Sequence, residues 1–294
     1  MENKLNLPLK KKKNEAESPR LDPLMRALKA LHSAGAPETM TEEELEHQRR
    51  SQEVLGRLTA PMAGMDYEEF SLGGMNAAWM RLKAPHGSRH AILYCHGGGY
   101  TSGNLGYARV LASKLAHVTG YDVLSFEYRL APEHPYPAAV EDALRAWDHL
   151  MLLGYGARDV VLAGDSAGGN LALVLCHRLK AAGRRLPGAL VLMSPWTDMT
   201  MSGASYAERA ESDPMLTPEY IEAVRTAYAG GRDYASPDLC RPYRLPADAH
   251  SGRRSRDPVF GCRDALSRAG ACGRSLPLRG ERGDVARLSD VPPA

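Results

Sequence analysis

From about Tyr67 the chain exchanges short apolar runs with longer amphipathic stretches. Residues 77–82 and 90–95 read as strands, 108–117 as a helix, and 121–128, with β-branched and aromatic residues, as another strand. Residues 138–153 have helical spacing, 159–163 form a short apolar run, 168–182 a helix and 188–193 a further apolar run. Strands alternating with helices, several of them continuous apolar runs, predict an α/β fold with a mostly parallel central sheet and helices on both faces.

Outside that core the pattern changes. Residues 1–20 are charged and poor in aromatic and β-branched residues, which predicts a disordered basic tail. Helical patterns follow at 23–32 and 41–58. The second opens Thr41-Glu42-Glu43-Glu44, an N-cap with a capping-box acid. Residues 202–231 are polar and end in an amphipathic helix at 218–229, with Thr217 as N-cap and Pro218 at the first helical position. An insertion after a core strand is where such folds carry a lid, and this one is expected to meet the amino-terminal helices over the active site. The expected organisation is a tail (1–20), amino-terminal cap helices (21–66), a core (67–201), a cap insertion (202–232) and a remainder (233–294). No internal repeat is visible.

Composition narrows the class of function. The chain has 294 residues, 44% hydrophobic and 24% charged, an ordinary globular balance. A net charge of +2 gives no reason to expect a nucleic-acid partner. No apolar run approaches the roughly 18–20 residues that span a bilayer. The basic cluster Lys10 to Lys13 has no apolar stretch behind it, so it lacks the form of a secretory signal and reads as a solvated tail. The five cysteines form no C-x-x-C pair and match no zinc template, so no metal is expected and a reducing cytoplasm is the natural compartment.

Chemistry is concentrated in two motifs. Gly164-Asp165-Ser166-Ala167-Gly168-Gly169 matches G-x-S-x-G between an apolar run and a helix. The turn is so tight that side chains two before and two after the serine would collide, hence Gly164 and Gly168. Ser166 is then held up at the carboxyl end of the sheet, and the following helix directs its N–H groups toward developing negative charge. His96-Gly97-Gly98-Gly99-Tyr100 follows a strand well upstream of the serine, where an oxyanion loop belongs. With the N–H of Ala167, those of Gly97 and Gly98 are expected to bind the tetrahedral oxyanion. One such donor is typically worth about 3–4 kcal/mol of barrier. His96 is expected to anchor the loop and Gly99 to support it.

These motifs resemble those of the hormone-sensitive-lipase-like (GDXG) serine esterases and acetyl-hydrolases. Tyr128-Arg129-Leu130-Ala131-Pro132-Glu133 with Pro137-Ala138-Ala139, and Ser194-Pro195-Trp196-Thr197-Asp198 after the sixth core strand, are similar to further stretches of that family. The resemblance runs from about residue 67 to 237. It implies an α/β-hydrolase fold with a helical cap and hydrolysis of short-chain acyl esters without a cofactor, with Ser166 as nucleophile. The expected partner is a small acyl substrate. Arg129, Glu133 and Asp198 are expected to be structural, each with a partner.

The resemblance implies a late acid and a later histidine for the triad, and neither is recognisable. From Asp238 to Ala294 there are eleven arginines and no lysine, isoleucine or methionine, and the only histidine, His250, is in no matching context. Back-translating residues 238–262 with permitted codons and reading one nucleotide later yields I-Y-A-D-L-T-G-F-P-P-M-L-I-Q-V-G-G-R-E-I-L-F-S-D-A. That peptide resembles the family's seventh strand, acidic loop and next helix, and residues 285–293 can likewise be read as containing W-H-V-Y. Residues 238–294 are therefore expected to be a frameshifted tail. Two other functions share the motifs: hydrolysis of N-acyl amides, and non-catalytic binding of a small molecule, as in the plant gibberellin receptors, which lack the histidine.

Overall fold

The structure is a computed structural model, and it describes residues 41–58, 62–84, 89–208, 213 and 216–232. The expected tail, the helix at 23–32 and everything from 233 onward, including His250 and the off-pattern segment, lie outside the described residues. Helix α1 spans Glu42–Leu58, and β1 (Met65–Leu72) and β2 (Met75–Leu82) form a hairpin. Then come β3 (Ala91–Cys95), α2 (Leu105–Thr119), β4 (Asp122–Phe126) and α3 (Ala138–Leu152). These are followed by β5 (Val160–Asp165), α4 (Ser166–Ala181), β6 (Ala189–Met193), α5 (Ala204–Glu208) and α6 (Pro218–Ala229).

The six described strands lie in the order β1-β2-β4-β3-β5-β6. Pairing is antiparallel from β1 through β2 to β4, and parallel from β4 through β3 and β5 to β6. The mostly parallel sheet is thus as expected. Strand β1 did not stand out in the sequence, because only its two end residues, Met65 and Leu72, are buried. The hairpin turns at Gly73 and Gly74, whose φ of 59° and 89° suit a two-residue type I′ connection.

Helix boundaries follow from their caps. The Thr41 hydroxyl accepts from Glu44 N–H at 3.3 Å while the Glu44 carboxylate accepts from Thr41 N–H at 3.1 Å, the reciprocal capping box. Asn104 caps α2 through Tyr107 N–H, and Thr217 caps α6 through Tyr220 N–H. Gly120 and Gly230 close the same helices in the left-handed conformation.

Helices cover the sheet on both faces. One core gathers the inner sides of α3 and α4, where Ala139, Ala143, Ala146, Trp147 and Leu150 recur at helical spacing and are buried. The other packs Ala108, Ala112 and Ala116 of α2 on Ile92, Tyr94 and Val123. Small α2 residues bring that helix close to β3 and so to the loop that leaves it. Register places the site: Cys95 pairs with Gly164 and Asp165 with Met193. The segments leaving β3, β5 and β6, which carry the sequence motifs, therefore emerge side by side at one sheet edge.

Candidate active site

Strand β5 ends at Asp165 and helix α4 begins at Ser166 itself, earlier than the expected start near Gly168. The reason is geometric: the turn is made in one residue. Ser166 takes φ +50°, a left-handed conformation that costs a non-glycine residue of order 1–3 kcal/mol and persists only where its surroundings enforce it. The surroundings are specific. A Cβ on Gly164 would lie 2.3 Å from the Gly168 carbonyl oxygen, and one on Gly168 would lie 2.1 Å from that of Cys95. The Trp196 N–H donates to the Ser166 carbonyl at 2.9 Å, so the loop after β6 also holds the turn.

The loop after β3 is anchored from below. His96 is fully buried, with Nδ1 2.8 Å from the Gly97 carbonyl and its ring stacked on Tyr128 at 4.2 Å. Burial lowers its pKa from the ordinary histidine value, so the ring is neutral and donates from Nδ1. Tyr128 donates its hydroxyl to the His96 carbonyl at 2.8 Å. Further along, the Tyr100 hydroxyl donates to Asn170 Oδ1 and Asn170 Nδ2 donates to the Trp196 carbonyl, each at 2.7 Å. The glycine loop, helix α4 and the loop after β6 are therefore one hydrogen-bonded unit.

One expected donor is corrected by this geometry. The Gly97 N–H donates to Asp165 Oδ1 at 2.9 Å and is not available to a substrate oxygen. Among the described residues, the N–H groups of Gly98, Gly99 and Ala167 make no hydrogen bond. The Ser166 hydroxyl is half-buried and has no hydrogen-bond partner among them either.

Helix α6 lies directly on the glycine loop, since a Cβ on Gly99 would be 3.1 Å from Val224 Cγ1 and 3.3 Å from the Tyr220 hydroxyl. Gln48 Nε2 of α1 donates to that hydroxyl at 3.1 Å, so α1 and α6 meet above the loop. Arg49 ties α1 down further, donating to the carbonyls of Thr101 at 2.8 Å and Ala131 at 3.1 Å and pairing in bidentate fashion with Glu133. The charged residues expected to be structural all have partners. Arg129 pairs with the buried Asp142 and with Glu141, and Asp198 accepts from the N–H and hydroxyl groups of Thr200 and Ser202. Burial raises the Asp198 pKa, but those donors outweigh it and hold the carboxyl below its usual value.

Sequence reasoning missed Tyr94, Tyr107, Asn170 and the cap residues Gln48 and Arg49. For Tyr94 a signal existed: a tyrosine inside a wholly apolar strand must find a partner for its hydroxyl. An open cleft of about 520 Å³ lies elsewhere, lined by Glu53, Tyr67, Glu69, Arg109 and Glu127 among others. None of the motif residues lines it, so the motifs locate the chemistry. Among the described residues no cluster of side chains is suited to hold a metal ion, and no helix is long and apolar enough to cross a membrane.

A family model described as alpha/beta hydrolase fold matches residues 92–256. An acetyl-hydrolase of Streptomyces hygroscopicus is 37% identical over 211 residues, 72% of this chain and 66% of that protein. An ethyl acetate hydrolase of Pseudomonas putida is 39% identical over 145 residues, 47% of this chain and 45% of that protein. The crystal structure of an esterase from the bacterial hormone-sensitive lipase family is similar with a TM-score of 0.69 and 33% identity, covering 77% of this chain and 74% of that one. The chain thus spans less than two thirds of the length of these two curated relatives.

Proposed function

The chain belongs to the α/β-hydrolase family matched at residues 92–256, and from that membership we propose that it is a serine hydrolase cleaving short-chain acyl esters through an acyl-enzyme on Ser166. The observation that carries the proposal is the strained one-residue turn that holds Ser166, at φ +50°, between strand β5 and helix α4 beside a glycine loop. The names ethyl acetate hydrolase and esterase among its relatives support an ester over an amide.

In this reading the Ser166 oxygen attacks the acyl carbonyl, and the tetrahedral oxyanion is bound by the N–H groups of Gly98, Gly99 and Ala167. Gly99 takes the place that Gly97 had on sequence grounds, because the Gly97 donor is already engaged. The oxyanion gains a charge only in the transition state, so these donors act on the barrier and not on substrate binding. The hydroxyl proton passes to the late histidine that the family resemblance implies, which the chain would carry only with its frame restored. The carbonyl then reforms, the alcohol leaves with a proton, and water repeats the sequence on the acyl-enzyme. No cofactor enters. The buried thiols of Cys95 and Cys176, which form no disulfide, suit a reducing, cytoplasmic compartment.

The frame reading of residues 238–294 belongs to the same proposal, since it restores the segment in which the family carries its acid and base. The family match in the written frame runs past Asp238 to 256 and so weighs against a change of frame at 238; the nucleotide sequence across codons 236–240 decides it. A base gained or lost there is expected, and an uninterrupted family-like frame would remove this part of the proposal. The nucleophile is tested by mixing the frame-restored chain with p-nitrophenyl butyrate, quenching in acid and mapping peptides by mass. A butyryl adduct on the peptide containing Ser166 is expected. An adduct on another residue would end the assignment.

A further inference from the structure

Asp165 directly precedes the candidate nucleophile, and its carboxylate is fully engaged. Oδ1 accepts from the Tyr94 hydroxyl at 2.6 Å and from the Gly97 N–H at 2.9 Å. Oδ2 accepts from the Tyr107 hydroxyl at 2.9 Å. The donors come from three separate pieces of chain: Tyr94 from β3, Gly97 from the loop that follows it, and Tyr107 from the first turn of α2. A Cβ on Gly97 would lie 2.3 Å from Oδ2, so glycine at that position is required by the approach of the carboxylate itself. Burial first, and then the charge of Asp165, push the Tyr94 phenol well above its usual range and raise that of Tyr107 as well. Both shifts favour the protonated hydroxyls as donors to Asp165.

We propose that Asp165 is a positioning residue for the oxyanion loop: by holding the Gly97 N–H it turns the next two N–H groups, of Gly98 and Gly99, toward Ser166. The two phenols have a second effect. An anion one residue from the nucleophile would oppose the charge that develops on the substrate oxygen, and it would compete for the same N–H donors. Two hydroxyls and one N–H that point only at Asp165 satisfy it without drawing on Gly98, Gly99 or Ala167. The inference rests on the reading of Ser166 as nucleophile, but it concerns a loop whose order can be measured without turnover.

The test is hydrogen–deuterium exchange of the full chain, read by mass spectrometry on the peptide covering residues 96–104. A hydrogen bond to a charged acceptor is among the stronger ones, so Asp165→Ala should speed exchange at Gly97 by about tenfold or more, while peptides from β5 and α3 keep the parent rates. Asp165→Asn keeps an acceptor for Gly97 and Tyr94 and offers its amide to the Tyr107 oxygen, so exchange should stay within about threefold of the parent. Should Asp165→Ala fail to fold, Tyr107→Phe frees Oδ2 alone and should raise Gly97 exchange severalfold. Unchanged exchange in Asp165→Ala, or in Tyr107→Phe where the alanine variant is unfolded, overturns the proposal. So does an asparagine variant as fast as the alanine one. Failure of ester hydrolysis would count against the Ser166 reading and leave the exchange result standing. Parent-like exchange in an active enzyme would remove only the role given to Asp165.

Discussion

Gly168→Ala sets two known effects against each other. Position 168 is inside helix α4, where replacing glycine by alanine normally gains about 1 kcal/mol through backbone entropy. Here the new methyl carbon would lie 2.1 Å from the Cys95 carbonyl oxygen and 2.3 Å from that of His96. Both obstacles are backbone, and Cys95 ends a strand paired on both sides, so no rotamer change relieves the contact. Either α4 or the β3 terminus must move by roughly 1 Å to restore ordinary contact distances. Overpacking of this kind costs about 1–3 kcal/mol, occasionally more. Contacts this short put the cost at the upper end of that range, so after the helix gain of about 1 kcal/mol is subtracted the net loss is about 1–2 kcal/mol. That lowers the melting temperature by roughly 2–8 °C at about 2–4 °C per kcal/mol for a domain of this size. Thermal melts followed by circular dichroism check it, with Gly183→Ala as control. Gly183 also ends a helical segment, at φ +65°, but a Cβ there meets nothing within 4 Å, so only backbone strain of about 1 kcal/mol is expected. A Gly168→Ala protein that melts at or above the parent would refute the close approach of helix α4 to the end of β3.

Glu133→Gln removes the bidentate partner of Arg49, and with side chains 30% and 52% exposed the pair should contribute only about 0.2–1 kcal/mol, vanishing in 1 M NaCl; melts of both proteins at low and high salt measure it. His96 has a folded-state pKa below its ordinary 6.5 because burial disfavours the imidazolium. The unfolded chain then binds the proton more readily, so the stability His96 contributes is complete above about pH 6.5 and is lost as pH falls toward the depressed value. Melting temperatures of parent and His96→Gln between pH 8 and 5 should show the shallower decline in the variant. Acyl preference should favour short chains, because Tyr220 and Val224 of α6 close directly on Gly99; a chain-length series from acetate to palmitate with its maximum at twelve carbons or beyond would contradict this.

The alternation of apolar runs and amphipathic helices was enough to place the parallel sheet, because β3 and β5 are buried along almost their whole length and cannot be mistaken for surface segments. Strand β1 escaped notice for the opposite reason: Asp66, Glu68 and Glu69 face outward and its stability comes from pairing with β2. Gly164 and Gly168 were legible as positions with no room for a side chain, and the structure places each against backbone. Which glycine N–H is engaged inside the protein was not, because that depends on Asp165 reaching across to Gly97, a contact spanning 68 positions that no local spacing reveals. The capping box of α1 was legible, while its Arg49 anchor on Thr101, Ala131 and Glu133 required the folded chain.

The most direct measurement compares hydrolysis of p-nitrophenyl acetate by three proteins side by side: the chain as written, the chain rebuilt from codon 238 in the shifted frame, and Ser166→Ala in the rebuilt chain. The rebuilt chain should turn over the ester, and its Ser166→Ala variant should lose about 10⁶-fold in turnover, the usual cost of removing a triad member. The chain as written should sit near background, since an oxyanion hole without a base leaves only about 10³–10⁴-fold over water. Undiminished hydrolysis by Ser166→Ala would contradict the account at its centre.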